Sequence, residues 1–229
     1  MFEPGAKGVI FDMDGVLVDS FQAHFESWRL MGHEEGVEIT ESQFAATFGQ
    51  TSREIIRKRW TEAGRNLDEP DIKRLDDRKE ALFREIIGNS FPSVAGSREL
   101  VSSLRAAGFV LGVGSSAPPE NVDLVLDRFG GRTLFDAVVN GMEVARGKPD
   151  PEVFLLVARR MGIDPSRCAV IEDAVPGIEA AHRAGMAAVA YVSTGRSREE
   201  FQQASADLIV QSLSELTPEA LDKVIARPS

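Results

Sequence analysis

The sequence predicts an α/β protein, a doubly wound parallel sheet with a helical subdomain inserted after its first strand, and three observations lead there. Short runs rich in valine and isoleucine recur: "KGVIFDM" (7–13), "FVLGVGSS" (109–116), "RCAVIED" (167–173), "MAAVAYV" (186–192) and a weaker "DLIVQS" (207–212). They do not alternate apolar with polar, as expected of strands covered on both faces. Helical patterns separate the later runs, which implies parallel pairing through right-handed crossovers. Between the first run and the second, from about Phe21 to Phe91, only helical periodicity is found. That stretch is too long for a crossover and reads as an inserted unit.

Taken in order, the first strand is followed by "QAHFESWRLMG", by "TESQFAATFG" with a Thr40 to Gln43 capping box, by "TSREIIRKRWTEAG" and by "EPDIKRLDDRKEALFREII". "SRELVSSLRAAG" stops at Gly108. "DPEVFLLVARRMG" has Asp150 as cap, Pro151 at the first helical position and Gly162 as stop, and "TPEALDKVIA" repeats the Thr-Pro start. The expected division is a core of 1–19 and 93–229 with a helical cap of 20–92. The two connections, near Asp19 to Phe21 and Phe91 to Val94, are expected side by side at one edge of the sheet.

The chain of 229 residues is 43% hydrophobic, ample for a packed core, and carries 26 basic against 36 acidic residues for a net charge of −10. Lys and Arg nowhere gather with aromatic residues, so nucleic acid is not an expected partner. An anionic substrate would be repelled by the global field, and its capture would rest on a few local cations or a bound metal. A single cysteine, Cys168, excludes an internal disulfide and a multi-thiolate metal site. No run approaches the roughly 18 apolar residues needed to cross a bilayer, and the start lacks a signal-peptide pattern, so no membrane is expected and the cytoplasm is the default location. The tail "IARPS" reads as a frayed end.

The chemistry concentrates where strands end. In "VIFDMDGVLVDS" the apolar run gives way to Asp12, Asp14 and Asp19. If the segment stays extended, Asp12 and Asp14 share a face about 6.6 Å apart. Gly15 then allows a sharp turn. Ligands of open parallel sheets bind beyond the carboxyl ends of the strands, and clustered carboxylate and carbonyl oxygens suit Mg²⁺. The second run ends in Ser115 and Ser116, hydroxyls able to donate to a phosphate oxygen. The third ends in Glu172 and Asp173, and "GKPDP" puts Lys148 just ahead of a well-capped helix. Acids, hydroxyls and a lysine at one edge form a phosphate and metal site.

In order and spacing, "FDMDGVLVDS", "GVGSS", "ARGKPDPEVF" and "VIEDAVPGIEAAHRAG" resemble the four motifs of the haloacid dehalogenase-like hydrolase superfamily, with the β-phosphoglucomutase and phosphoglycolate phosphatase group nearest by pattern. The resemblance implies a Rossmann-like core, a cap after the first motif, Mg²⁺, and a small phosphorylated metabolite as partner. By position it implies that Asp12 attacks phosphorus to form an aspartyl-phosphate and that Asp14 is the general acid and base. It further implies that Ser115 binds phosphate, that Lys148 neutralises phosphate and nucleophile, and that Asp173 ligates the metal with Glu172 close by and the Asp14 carbonyl contributing. Dehalogenase members do not use an aspartate acid at the position of Asp14, so the expectation is phosphoryl transfer.

Within the cap, His24 stands where the mutase group carries a substrate-side histidine and is equally read as a packed residue beside Phe25 and Trp28. Arg53 and Lys79 are candidate phosphate contacts, each weighed against an ordinary surface charge pair. Trp28 and Trp60 are read as cap core, Cys168 as a small apolar residue, and Gly177 as permitting a turn without contacting anything. The expected activity is a Mg²⁺-dependent phosphatase. A sugar phosphomutase is the first alternative, and a non-enzymatic receiver-type phosphoacceptor, which would not need the helical insert, is the second. Ala117, Pro118 and Pro119 after the motif-two serines remove the polar and N–H donors a mutase would use for a second phosphate. The loop from Gly49 to Arg53 looks one residue longer than the mutase pattern, while His24 favours the mutase.

Overall fold

The computed structural model describes residues 5–47, 51–193 and 195–226. The loop reading at Gly49 and the end of the tail "IARPS" lie outside the described residues. The chain forms two compact units, Met1–Asp19 with Pro92–Ser229, and Ser20–Phe91. Strand β1 (Gly8–Phe11) opens the first unit. The second unit holds α1 (Phe21–Glu34), α2 (Glu41–Ala45), α3 (Ser52–Glu62) and α4 (Glu69–Asn89). Back in the first unit follow α5 (Ser97–Ala106), β2 (Val110–Gly114), α6 (Pro119–Phe129), β3 (Ala137–Val139), α7 (Glu152–Met161), β4 (Cys168–Glu172), α8 (Val175–Arg183), β5 (Ala187–Tyr191), α9 (Arg198–Gln203), β6 (Leu208–Val210) and α10 (Pro218–Ile225).

The six strands form one parallel sheet in the order β3-β2-β1-β4-β5-β6. Strands β1, β2 and β4 are buried along their whole length, which is why their sequences lack alternation. On one face Ile10, Val170 and Ala188 pack with Phe154, Val157 and Met161 of α7 and Ile178 of α8. Helices α5 and α10 lie against β2 and β4. Strand order reverses beside β1, between β2 and β4, and that switch point is where open α/β sheets bind ligands.

Helix α7 approaches the sheet closely because two strand positions lack side chains. A Cβ on Gly112 would stand 2.4 Å from Val157 Cγ1, and one on Gly8 would stand 2.8 Å from Met161 Cε. The punctuation read in the sequence operates with small shifts. Asp150 Oδ1 accepts from Glu152 N at 3.0 Å while Pro151 takes the cap position itself, and Gly162 ends α7 at φ +70°. Thr217 caps α10, with Pro218 as its first residue. Strand β3 and helices α6 and α9 are among the elements absent from the sequence reading. Strand β3 is three residues long, too short to register as a run. Helix α6 begins at Pro119, in a stretch read only as a loss of donors, although proline suits a first helical turn.

The helical unit has its own core of Trp28, Met31, Ile56, Trp60, Leu75 and Leu82, so both tryptophans are core residues. Capping boxes start α2 at Thr40 with Gln43 and α3 at Thr51 with Glu54. The two connecting segments do run side by side: Asp19 N donates to Pro92 O at 2.8 Å and Val94 N to Leu17 O at 3.2 Å. They do not flank an edge of the sheet, however. They emerge beyond β1, an interior strand paired on both sides. No helix among the described residues is long and apolar enough to cross a membrane.

The close approach of α7 gives a direct test. Gly112→Ala places a methyl where Val157 already lies, and overpacking of this kind costs about 1–3 kcal/mol. Chemical denaturation should show a loss of that order; unchanged stability would mean that α7 shifts away at no cost.

Candidate active site

The strand register brings the carboxyl ends of β1, β2 and β4 to one level. Phe11 pairs with Val113 on one side and Ile171 on the other, and Glu172 pairs with Ala190 of β5. The residue after β1 is Asp12, whose N–H donates to Ile171 O at 2.9 Å. Beyond it the chain does not stay extended, contrary to the expectation for Asp12 and Asp14. Leu17 N and Val18 N both donate to Met13 O, at 2.9 and 3.2 Å, and Gly15 N donates to Val18 O at 2.8 Å. Asp14 therefore lies on a tight loop. Gly15 adopts φ +79°, and a Cβ there would stand 1.9 Å from Asp173 Oδ2. The glycine is needed for both its backbone conformation and the space the carboxylate fills.

Lys148 is the centre of the cluster. Its Nζ donates to Asp12 Oδ1 at 2.5 Å, to Glu172 Oε1 at 2.7 Å and to Gly114 O at 3.2 Å, and lies 4.8 Å from the centre of the Phe154 ring. The side chains of Lys148, Asp12 and Glu172 are 9%, 10% and 2% exposed, so these are buried ion pairs. The other carboxylate oxygen of Glu172 accepts from Asp173 N at 2.8 Å and Ala174 N at 2.9 Å, which ties it to the entrance of α8. Gly177 is part of this arrangement and not merely a turn residue. A Cβ on it would stand 1.8 Å from Glu172 Oε1.

Burial pushes the Asp12 carboxyl well above its usual range; Lys148 opposes that shift, and Glu172, Asp173 and Asp14 reinforce it. Burial also pushes Asp173 up, to about 7, with Glu172 adding to the shift and the Ser193 hydrogen bond and Arg196 working against it. Burial alone would lower the Lys148 pKa, but Asp12 and Glu172 outweigh it and hold the ammonium protonated. Three like charges in a desolvated space leave a deficit of positive charge that one lysine does not fill.

Ser115 is buried at the end of β2; its N–H donates to Val139 O at 3.0 Å and its Oγ accepts from Ala117 N at 3.0 Å, leaving the hydroxyl proton to donate elsewhere. Ser116 is exposed. In the helical unit, Lys79, a candidate phosphate contact, is buried, so the alternative of an ordinary surface charge pair does not hold. Its Nζ lies 3.0 Å from His24 Nδ1 and donates to Glu80 Oε1 at 2.8 Å, above the Trp28 and Phe83 rings. His24 stacks on Phe83 at 4.1 Å between ring centres. Arg53 is exposed and faces Asp76 at 3.6 Å and Glu69 at 3.9 Å.

Residues 6–185 match the family model described as haloacid dehalogenase-like hydrolase. The chain belongs to that family. It is 35% identical to the phosphorylated carbohydrates phosphatase of Thermotoga maritima, over 79% of this chain and 82% of the relative. It is 31% identical to the beta-phosphoglucomutase of Bacillus subtilis, over 94% of this chain and 93% of that one. The crystal structure of beta-phosphoglucomutase from Clostridium difficile superposes with a TM-score of 0.82 at 25% identity, covering 97% of this chain and all of that one. The protein is accordingly an enzyme of the phosphatase and phosphotransferase kind, and the receiver alternative is set aside.

Members of this hydrolase family generally use Mg²⁺, and the donor set here fits a hard divalent cation. Asp12, Glu172 and Asp173 each offer a carboxylate oxygen, the three oxygens lie within 4.8 Å of one another, and all three residues are buried. Sequence reasoning missed Ser193, just beyond β5, whose Oγ donates to Asp173 Oδ2 at 2.7 Å, and the nearby Arg196. The only signal was a hydroxyl and a cation just past a fourth strand end.

Because Gly177 leaves room for the Glu172 carboxylate that holds Lys148, Gly177→Ala should displace the lysine. Misplacement of a catalytic group by about 1 Å can cost about 10²-fold. A drop of that order in kcat/KM for an aryl phosphate, with the fold retained by circular dichroism, is expected; unimpaired turnover would show that Glu172 is not held by this packing.

Proposed function

We propose that the protein is a phosphatase acting on a small phosphomonoester, a sugar phosphate or similar metabolite, through transient phosphorylation of Asp12. The observation that carries this reading is the buried Lys148 ammonium bound to Asp12 Oδ1 at 2.5 Å, beside Ser115 and two further acids. Phosphoryl transfer passes through a state with charge spread over three equatorial oxygens, which calls for positioning and positive charge more than covalent machinery.

In the first step the Asp12 carboxylate attacks phosphorus and the ester P–O bond breaks. Asp14, in its protonated form, gives its proton to the departing alkoxide oxygen. In the second step Asp14, now a base, takes a proton from water as that water attacks the aspartyl-phosphate, releasing inorganic phosphate and restoring Asp12. Ser115 and Lys148 hold the phosphoryl oxygens throughout. Mg²⁺, held by Asp12, Glu172 and Asp173, would supply the further positive charge the transferring group needs.

Asp12→Asn should abolish turnover, since an amide does not attack phosphorus. Asp14→Asn should lower kcat by about 10² to 10⁴-fold with substrate binding largely kept, the range expected for loss of general acid catalysis. Steady-state assay of both variants with an aryl phosphate decides this, and activity in Asp12→Asn would end the covalent reading.

The Bacillus relative keeps a phosphomutase reading in play, and Lys79 bound to His24 is compatible with it. Three features support hydrolysis: Pro118 and Pro119 lack N–H donors beside Ser116, Arg53 already faces two carboxylates, and one relative is named as a phosphatase of phosphorylated carbohydrates. With β-glucose 1-phosphate and a trace of the 1,6-bisphosphate, free phosphate should exceed glucose 6-phosphate. Efficient isomer formation with little free phosphate would reverse the assignment.

A further inference from the structure

Strand β5 ends beside the acids of β4, because Glu172 pairs with Ala190 and the two chains leave the sheet together. Val192, the next residue but one past that pair, is anchored by its N–H to Val210 O at 2.9 Å, so the position that follows is fixed from β6. That position is Ser193. Its hydroxyl donates to Asp173 Oδ2 at 2.7 Å. Gly15 lies against the same oxygen, Oδ2, at a separation that leaves no room for a Cβ. Asp173 is thus held between the β1 loop and the end of β5, and nine-tenths of the residue is out of solvent.

We propose that Ser193 is a positioning residue for the divalent metal: by bonding one oxygen of Asp173, it fixes the rotation of the carboxylate that shares the metal-sized cluster with Asp12 and Glu172. This rests on the reading of Asp173 as a metal ligand. The physical need is specific. A buried carboxylate beside Glu172 and Asp14 gains by swinging away from them, and that swing would open the cluster. A lysine or arginine in direct contact would hold it but would also compete with the metal for its charge. A neutral hydroxyl restrains one oxygen and leaves the net negative charge of the cluster intact. Partners of this kind, bonded to a metal ligand without touching the metal, are typically worth about 10- to 100-fold in metal affinity.

Calorimetric titration of Mg²⁺ into substrate-free protein tests this. Ser193→Ala should bind Mg²⁺ about 10- to 100-fold more weakly. Ser193→Thr, which keeps the hydroxyl at a half-buried position, should bind close to the native level, and Ser193→Cys, with a weak donor, should be impaired. Asp173→Ala is the reference and should lose most of the binding. Raising Mg²⁺ should restore kcat in Ser193→Ala with the KM for the phosphomonoester unchanged, which a general packing defect would not allow. Native Mg²⁺ affinity in Ser193→Ala alongside weak binding in Asp173→Ala overturns the proposal and leaves the metal site standing. Native affinity in Asp173→Ala overturns the metal assignment, and the role of Ser193 with it. Equal loss in Ser193→Ala and Ser193→Thr assigns the effect to shape and also overturns the proposal.

Discussion

Lys148 is the contact on which the site depends. Asp12, Glu172 and Asp173 are brought within 4.8 Å of one another out of water, a grouping that burial and mutual repulsion both oppose. One ammonium bound to two of the three, at 2.5 and 2.7 Å, is what lets them coexist. A buried ion pair of this kind does little for net stability, because desolvation of both partners offsets much of their attraction. Its stability must be supplied elsewhere, by the apolar sheet and by the helices over it. The same imbalance that makes the cluster costly makes it receptive. A site with three acids and one lysine is short of positive charge, and a divalent cation fills that shortage more completely than protons do.

The scaffold converts that requirement into positions. Parallel strands in close register end at one level, so the residues that follow β1, β2, β4 and β5 meet without any long side chain having to reach across the sheet. The lysine alone comes from outside this scheme. Lys148 lies on the loop before α7, and its ammonium sits over Phe154 of that helix and donates to Gly114 O at 3.2 Å. The closeness of α7 to the sheet, permitted by Gly8 and Gly112, is therefore also what carries the lysine to Asp12. Packing several residues away and the electrostatics of the site are one constraint.

What could be read in the sequence follows from how local its cause is. Strands buried on both faces show themselves as apolar runs, and caps such as Thr40 with Gln43 or Gly162 at the end of α7 depend on neighbours in the chain. Asp12, Lys148 and the Glu172-Asp173 pair were legible because each stands at a marked boundary between an apolar run or capped helix and a loop. Gly177 was misjudged because its role is set by Glu172 folding back into its space, a contact created by the entrance to α8. Ser193 was missed for a related reason: its partner follows the end of the neighbouring strand, twenty residues earlier, and a single serine carries no pattern. For Lys79 the sequence offers only a phosphate contact or a surface charge pair, because α4 is rich in charges, whereas its place inside the helical unit depends on packing against α1.

On the proposed reading, the phosphate side of the site is shaped by the proline pair as much as by the serines. Helix α6 starts immediately after the motif-two segment, where the positive end of a helix would ordinarily offer free N–H groups to a phosphate. Here Pro118 and Pro119 have no N–H to offer, and Asn121 N and Val122 N are turned back to Pro118 O at 3.1 and 3.2 Å. The residue before them, Ala117, spends its N–H on Ser115 Oγ. On the proposed reading, phosphate recognition rests on Ser115 and Lys148, of which Lys148 is bonded to Asp12, and neither is suited to holding a second, distant phosphate. An enzyme that needs only to seize one phosphoryl group and pass it to water has sufficient contacts in that pair; one that must retain a bisphosphate through reorientation would need donors that this segment has given up.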